Sequence, residues 1–279
     1  MHTRRQFTSI ALAAIPVSAA AKPGSTGVII GAQTYSFRDR GLSGAIPGTK
    51  EAGLDYAEVW SGHIEPKDLS REELRKWRTS VSMGEFKKVR RQFEAAGIQL
   101  YAYNYSFRDD FSEEEIARGF EMAKALGAKR LTASANVSTA KRVDPFASKA
   151  KIVVGMHNHS RIRQNEFARP EDFFDAMKGM SRYIGINLDI GHFWGAGYDP
   201  VSFLKEHHSK IVTLHVKDKK RQGDVNMPFG QGDTPICEVL RVLRDQKLRI
   251  PAMIEYEYKG SDTIEEVKKS FDFMKRCIA

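Results

Sequence analysis

Short apolar runs alternate with amphipathic stretches from residue 28 to the C-terminus. The runs are Val28–Thr34, Tyr56–Trp60, Ile98–Tyr103, Arg130–Ala133, Ile152–His157, Ile184–Asp189, Ile211–Val216 and Ala252–Tyr256. Each is nearly continuous in hydrophobicity and rich in β-branched and aromatic residues, the mark of strands covered on both faces. Between the runs, apolar residues recur at helical spacing: Phe86, Val89, Phe93 and Ala96; Ile116, Phe120 and Ala123; Ile264, Val267, Phe271 and Met274. Ser112 with Glu115, and Asp262 with Glu265, read as capping boxes at two helix starts. Gly97 and Gly127 stand where C-terminal caps belong. The stretch from Asp144 to Ala150 predicts only a short helix between the fourth and fifth strands.

Eight strand–helix pairs in a chain of 279 residues predict an α/β fold, a single-domain (β/α)8 TIM barrel over residues 26–279. A doubly wound open sheet would carry a Gly-rich phosphate loop after an early strand, and none is present. One pentapeptide repeats, Tyr35-Ser36-Phe37-Arg38-Asp39 after the first strand and Tyr105-Ser106-Phe107-Arg108-Asp109 after the third. In a barrel both copies lie on the same mouth, either by coincidence or as the trace of a duplicated βαβα unit.

The first residues follow a different pattern. Arg4-Arg5 precedes a short apolar stretch from Ile10 to Val17 and then Ser18-Ala19-Ala20-Ala21. This is the layout of a secretory signal, here of twin-arginine type, over residues 1–21. The expected location is the periplasm, with no membrane anchor once the signal is cut. Composition is that of an ordinary soluble protein, with 41% hydrophobic and 28% charged residues. The net charge of +9 raises nucleic acid as a partner, but Arg4 and Arg5 leave with the signal, which gives +7. Runs such as Lys87-Lys88-Val89-Arg90-Arg91 surround an apolar stripe and read as solvated outer face. The expected partner is therefore a small molecule rather than nucleic acid, with homo-oligomerisation left open. Cys237 opens one helix and Cys277 closes the next; in parallel helices they would lie on the order of 20 Å apart. Two free thiols are expected.

Catalytic groups in such barrels sit at the C-terminal ends of strands. Five of the eight histidines fall at such ends. Strand two ends in Glu58-Val59-Trp60-Ser61-Gly62-His63, strand five in His157-Asn158-His159, and strand six in Asp189-Ile190-Gly191-His192. Strand seven offers His215-Val216-Lys217-Asp218 and strand eight Glu255-Tyr256-Glu257. His157, Asp189, His215 and Glu255 would face inward at one level from adjacent strands. Two nitrogens and two oxygens suit one divalent ion such as Mn, Co, Zn or Mg.

The ordered set Asp189-Ile190-Gly191-His192, His215-Val216-Lys217-Asp218 and Glu255, with the loop Phe229-Gly230-Gln231-Gly232-Asp233, resembles the xylose-isomerase-like barrel superfamily of sugar and sugar-phosphate isomerases and epimerases. The resemblance covers essentially the whole chain after the signal. It implies metal ligation by Asp189, His215 and Glu255, with His192 and Arg221 facing the substrate. The family's epimerases commonly place a Glu at the end of strand five, as ligand and as acid/base partner to the last Glu. Here His157 stands there, a residue that can bind metal but cannot abstract a proton while doing so.

A divalent ion held by adjacent oxygens polarises a carbonyl and stabilises an enediolate, and a positioned base removes the proton beside it. Glu255 is the best base, with His159, His192 and Glu257 as further groups. Reprotonation gives epimerisation or aldose–ketose isomerisation; loss of a β-substituent makes the enzyme a lyase or dehydratase. Glu58, Trp60, His63, Asn104, Lys217, Arg221 and Glu257 are the expected substrate contacts. Export favours a free sugar, keto-sugar or oligosaccharide derivative over a phosphorylated one. A metal-dependent apurinic-type endonuclease and a non-catalytic sugar-binding barrel are the alternatives.

Overall fold

The computed structural model describes residues 27–221 and 224–279, so the expected signal over 1–21 and the domain start at Thr26 lie outside the described residues. Ten strands run in chain order among them: β1 Ile30–Gln33, β2 Tyr56–Trp60, β3 Gln99–Asn104, β4 Arg130–Ala133, β5 Val153–His157, β6 Ile184–Asp189, β7 Ile211–Val216, β8 Asp218–Lys220, β9 Val225–Met227 and β10 Ala252–Ile254. Eight of them close a parallel barrel in the order β1-β10-β7-β6-β5-β4-β3-β2. The remaining two, β8 and β9, pair antiparallel as a hairpin that no hydrophobic pattern announced. With three residues each and mostly polar side chains, they carry no apolar alternation, although Asp218 and Lys219 of β8 are buried.

Ten α-helices complete the described fold: α1 Leu42–Glu51, α2 Arg71–Ser80, α3 Met83–Ala95, α4 Glu113–Leu126, α5 Thr139–Ala150, α6 Pro170–Met177, α7 Ile190–Gly195, α8 Pro200–His207, α9 Ile236–Asp245 and α10 Thr263–Ile278. The stripes read from the sequence face inward, with Phe86, Val89 and Phe93 of α3 buried while Lys87, Lys88 and Arg91 are exposed. At the start of α4, Ser112 accepts from the Glu115 N–H and the Glu115 carboxylate returns to the Ser112 N–H, a complete capping box. Gly127 closes α4 with φ +75°, a left-handed cap that favours glycine. The short helix expected near 144–150 is a twelve-residue helix, α5, with Pro145 inside it. Proline removes one ladder bond; the buried stripe Ala140, Val143 and Ala147 holds the helix on the barrel across that gap.

The expectation of two free thiols is corrected. Cys237 and Cys277 form a disulfide, with Cα atoms 4.8 Å apart. The two helices do not lie in the assumed register: the last turn of α10 rests against α9. There Arg241 donates to the Cys277 carbonyl and Arg244 to that of Ile278.

Inside the barrel, Tyr101, Ala102 and Met253 fill the N-terminal end. Gly31 is needed beside them, since a Cβ there would lie 2.6 Å from the Tyr56 carbonyl and 2.7 Å from Met253 Sδ. Towards the C-terminal end the interior turns polar, with Gln33, Glu58, Thr132, Asn187, Thr213 and His215 all buried. No helix among the described residues is long and apolar enough to cross a membrane.

Candidate active site

The period-two alternation of strands places every second residue inside the barrel. It carries His157 from β5, Asp189 from β6, His215 from β7 and Glu255 beyond β10 to one level at the C-terminal mouth. One ligand atom from each lies within 4.8 Å of all the others, and all four residues are buried. A register shift between Ile186 and Asn187, where β6 pairs with β7, lies just below this level.

Each side chain is held by its neighbours. Asp189 caps α7, so its Oδ1 accepts from the His192 N–H at 2.6 Å and its Oδ2 is left facing the cluster. Asn158, the middle residue of His-Asn-His, binds both ends of Asp189's backbone, accepting from its N–H at 2.9 Å and donating to its carbonyl at 3.1 Å. Two carboxylates bracket His215. Its Nδ1 is 2.9 Å from Glu255 Oε2 and its Nε2 is 3.0 Å from Glu58 Oε1. Glu58 is fixed from below by Gln33 at 2.7 Å and Thr132 at 2.6 Å. Burial alone would lower the His215 pKa; the two carboxylates outweigh it and raise the value to about 10.

His157 is 3% exposed, and neither of its ring nitrogens has an aligned hydrogen bond. Its Nε2 stands 3.6 Å from Asp189 Oδ2 and 3.5 Å from Glu255 Oε2. A buried polar atom without a partner is rare and asks for a reason. Ligands bound roughly 2.0–2.3 Å from one ion stand about 3–4.5 Å apart, which is the spacing of this group. The donor set of two imidazoles and two carboxylates fits a divalent cation, with the His215 nitrogen opposite Glu58 turned towards it. Among the described residues this is the one such cluster of three or more potential ligands.

Lys217 adds a fixed cation. It is 2% exposed, and its Nζ lies 3.2 Å from Asp189 Oδ2, 3.1 Å from Glu255 Oε2 and 2.6 Å from Glu257 Oε2. Gly191 makes room for it, since a Cβ there would lie 2.5 Å from Lys217 Cγ. Burial works against the ammonium, but these three carboxylates hold its pKa well above the ordinary lysine value. Asp189 and Glu255 are pushed below the usual carboxylate range: burial opposes this, and Lys217 is the strongest of the groups that overcome it.

The two other histidines of the cavity wall are held neutral. Burial, reinforced by the His157 and Lys217 charges, lowers His159 to about 3. Burial and Lys217 likewise push His192 well down. His192 Nε2 faces Lys217 Nζ at 3.0 Å, and its Nδ1 faces Ser160 Oγ at 3.0 Å. Ser160 in turn donates to Asp224 at 2.7 Å, and Asp224 pairs with Lys219 at 2.5 Å. Nothing in the sequence pattern singled out Ser160, Lys219 or Asp224, which share a network only because the β8–β9 hairpin folds back over the mouth. The Gly-rich loop is fixed by Asp218, whose carboxylate accepts from the N–H groups of Gly230, Gly232 and Thr234.

A cavity of about 200 Å³ opens above the cluster. Trp60, Asn104, His157, His159, His192, Glu255 and Glu257 are all in its wall. Trp60 is set there by Gly62, where a Cβ would lie 2.3 Å from the indole, and by an edge-on contact with Tyr35 at 5.0 Å. Four expected substrate contacts stand elsewhere, and the first is Lys217, buried against its three carboxylates and absent from the cavity wall. Glu58 is fully buried beneath His215; it orients that ring instead of reaching the cavity. His63 directs Nε2 to the Arg40 carbonyl at 3.1 Å. Arg221 lies on the Trp194 ring at 4.4 Å and donates to the Gly197 carbonyl, exposed at the rim. Aromatic and carbonyl partners closer to hand than the cavity explain both of the latter positions.

Comparison with known proteins agrees with the barrel fold. No curated protein matches the chain. Among solved structures, an uncharacterised protein from Parabacteroides distasonis ATCC 8503 is similar at 26% identity and TM-score 0.64, over 90% of this chain and 99% of that one. The 3-keto-D-glucoside 4-epimerase YcjR from E. coli shares the fold at 15% identity and TM-score 0.68, over 90% and 100% of the two chains. The IOLI protein, solved with a bound zinc atom, does so at 15% identity and TM-score 0.69, over 90% and 98%. The family model of the xylose isomerase-like TIM barrel matches residues 48–277. With most of the chain inside that match and all eight parallel strands closed into a barrel, this protein belongs to the xylose isomerase-like TIM barrel family.

Proposed function

We propose that this protein is a divalent-metal-dependent enzyme that acts on a sugar or keto-sugar derivative, removing the proton beside a carbonyl to form an enediolate-type intermediate. The observation that carries the reading is the buried group His157, Asp189, His215 and Glu255, in which the His157 ring has no aligned hydrogen bond. These four residues would hold the ion, which when bound polarises the substrate carbonyl and makes the adjacent proton acidic.

The carboxylates in the cavity wall are Glu255 and Glu257. They are the groups placed to take the proton, with the neutral rings of His159 and His192 beside them in the same wall. Lys217 neutralises both carboxylates and orients them. Trp60 offers an aromatic face to a sugar ring, and Asn104 and Glu257 offer hydrogen bonds to its hydroxyls. Return of the proton to carbon gives an isomerase or epimerase, the first reading. β-Elimination is the second, favoured by one observation: the strand-five position carries His157, so the paired ligand carboxylates of an epimerase are not both present.

The test is NMR in D2O with metal-loaded protein and a panel of keto-sugars and glycosides. Exchange of the proton beside the carbonyl is expected, with an epimer, isomer or eliminated product identifying the reaction. Absence of exchange across the panel, with the ion bound, would sink the proposal. We also propose export to the periplasm under the N-terminal signal. The Cys237–Cys277 disulfide supports it, since such bonds persist in oxidising compartments. Cell fractionation tests this, and recovery of the uncut protein in the cytosol would refute it.

A further inference from the structure

Beside the mouth cavity lies a second cleft of about 360 Å³, and the two share Arg108, His159 and His192 as common wall. The mouth alone falls below the roughly 300 Å³ of an ordinary small-ligand pocket. The adjoining cleft therefore extends the site, and its lining differs in chemistry from the mouth. Three arginines, Arg108, Arg161 and Arg163, line it with Ser160, Glu166 and Asp224. Asp224 is engaged by Lys219 at 2.5 Å, and Glu166 meets Arg163 only loosely at 3.8 Å. Arg108 and Arg161 are exposed, and their guanidinium groups make no hydrogen bond or ion pair among the described residues.

The repeated pentapeptide sharpens the contrast. In the first copy Arg38 donates to the Tyr256 carbonyl at 2.6 Å and stacks on Tyr35 and Tyr256. Its counterpart Arg108 has no such partner and stands in the wall of both cavities. A neutral sugar does not call for three guanidinium groups, whereas a carboxylate or phosphate pairs with their planar fork in bidentate fashion.

We propose that the substrate carries an anionic group seated in this cleft by Arg108 and Arg161, with Arg163 at its edge, while the reacting end lies over the cluster. The inference rests on the proposed function and names its substrate class. Under the export reading the anion is a carboxylate, as in a uronic acid.

The test uses full-length, metal-loaded protein and isothermal titration with D-glucuronate, glucose 6-phosphate, D-glucose and cellobiose. At least one anionic probe is expected to bind tenfold or more tightly than both neutral ones, and the better of the two identifies carboxylate or phosphate. Arg108→Gln with Arg161→Gln should remove that preference, and 0.5 M salt should weaken it, since the screening length is then roughly half that at physiological ionic strength. Equal or absent binding of the anionic probes overturns the proposal. A preference that survives in the double variant does so too, since it would then come from the ion. Binding is read without turnover. Proton exchange on neutral keto-sugars without an anion preference overturns this cleft's role alone; an anion preference without exchange on any sugar overturns only the reaction.

Discussion

Glu58 and His215 show how a buried pair sets up a ligand. His215 Nε2 faces Glu58 at 3.0 Å, so the opposite nitrogen, Nδ1, is turned to the cluster. Partners of this kind fix ring orientation and tune the metal, and their loss typically costs 10–100-fold in affinity. Glu58→Gln should weaken metal binding by about that factor, measured by competition with a chelator. An unchanged affinity would remove Glu58 from the orienting role. The same pair predicts a pH dependence. The folded pKa of His215 is raised from 6.5 to about 10, so its protonated form stabilises the metal-free fold fully below 6.5. That contribution is lost as pH rises through about 10. Thermal unfolding of the metal-free protein should therefore shift to lower temperature between about pH 7 and 10, and a flat profile would contradict the pairing.

Among the elements, α9 and α10 depend on a link that helical periodicity does not encode. The Cys237–Cys277 bond closes a separation of 40 residues. In the chain-entropy account such a loop is worth about 4 kcal/mol. Cys277→Ala should lower the free energy of chemical unfolding by roughly that amount, and a loss below about 1 kcal/mol would place the stability of this helix pair elsewhere. The repeated pentapeptide works at the same scale. Ser36 Oγ accepts from the Tyr256 N–H beyond β10, and Ser106 Oγ accepts from the Ser134 N–H beyond β4. Asp39 accepts from Thr263 at the start of α10, and Asp109 from Ser138 just before α5. Each copy thus clamps a strand end and the helix that follows it. The first copy clamps the strand before β1 around the barrel and the second the strand after β3, so a rotation about the barrel axis does not relate the two sets of partners.

For the molecule as a whole, closure of the barrel brings β5, β6, β7 and β10 side by side and their ends to one point. The four-residue group stands at the mouth, apart from the apolar packing between strands and helices, so removing one of its side chains should leave the fold intact. His157→Ala should reduce the metal content well below one ion per chain while leaving the far-UV circular dichroism unchanged. Full metal content in that variant, by elemental analysis, would relocate the site. The net charge of +9 also divides at this scale. On α3 it lies on the solvent face, and at the cleft of Arg108, Arg161 and Arg163 it faces the adjoining cavity.

The sequence by itself determined the eight barrel strands and the amphipathic stripes of the helices between them, because period two and period 3.6 are local properties of a chain that must bury one face. It also determined the level of the ligand group, because strand ends are where a barrel exposes side chains to its mouth. What only the tertiary structure decided is which neighbours those side chains meet. Glu58 turned under His215, Arg221 folded onto Trp194, and Cys277 reached Cys237, each through contacts between elements distant in the chain. The β8–β9 hairpin and its Ser160, Lys219 and Asp224 network belong to the same class. Periodicity fixes the face on which a residue stands, but the packing of whole elements fixes what stands opposite.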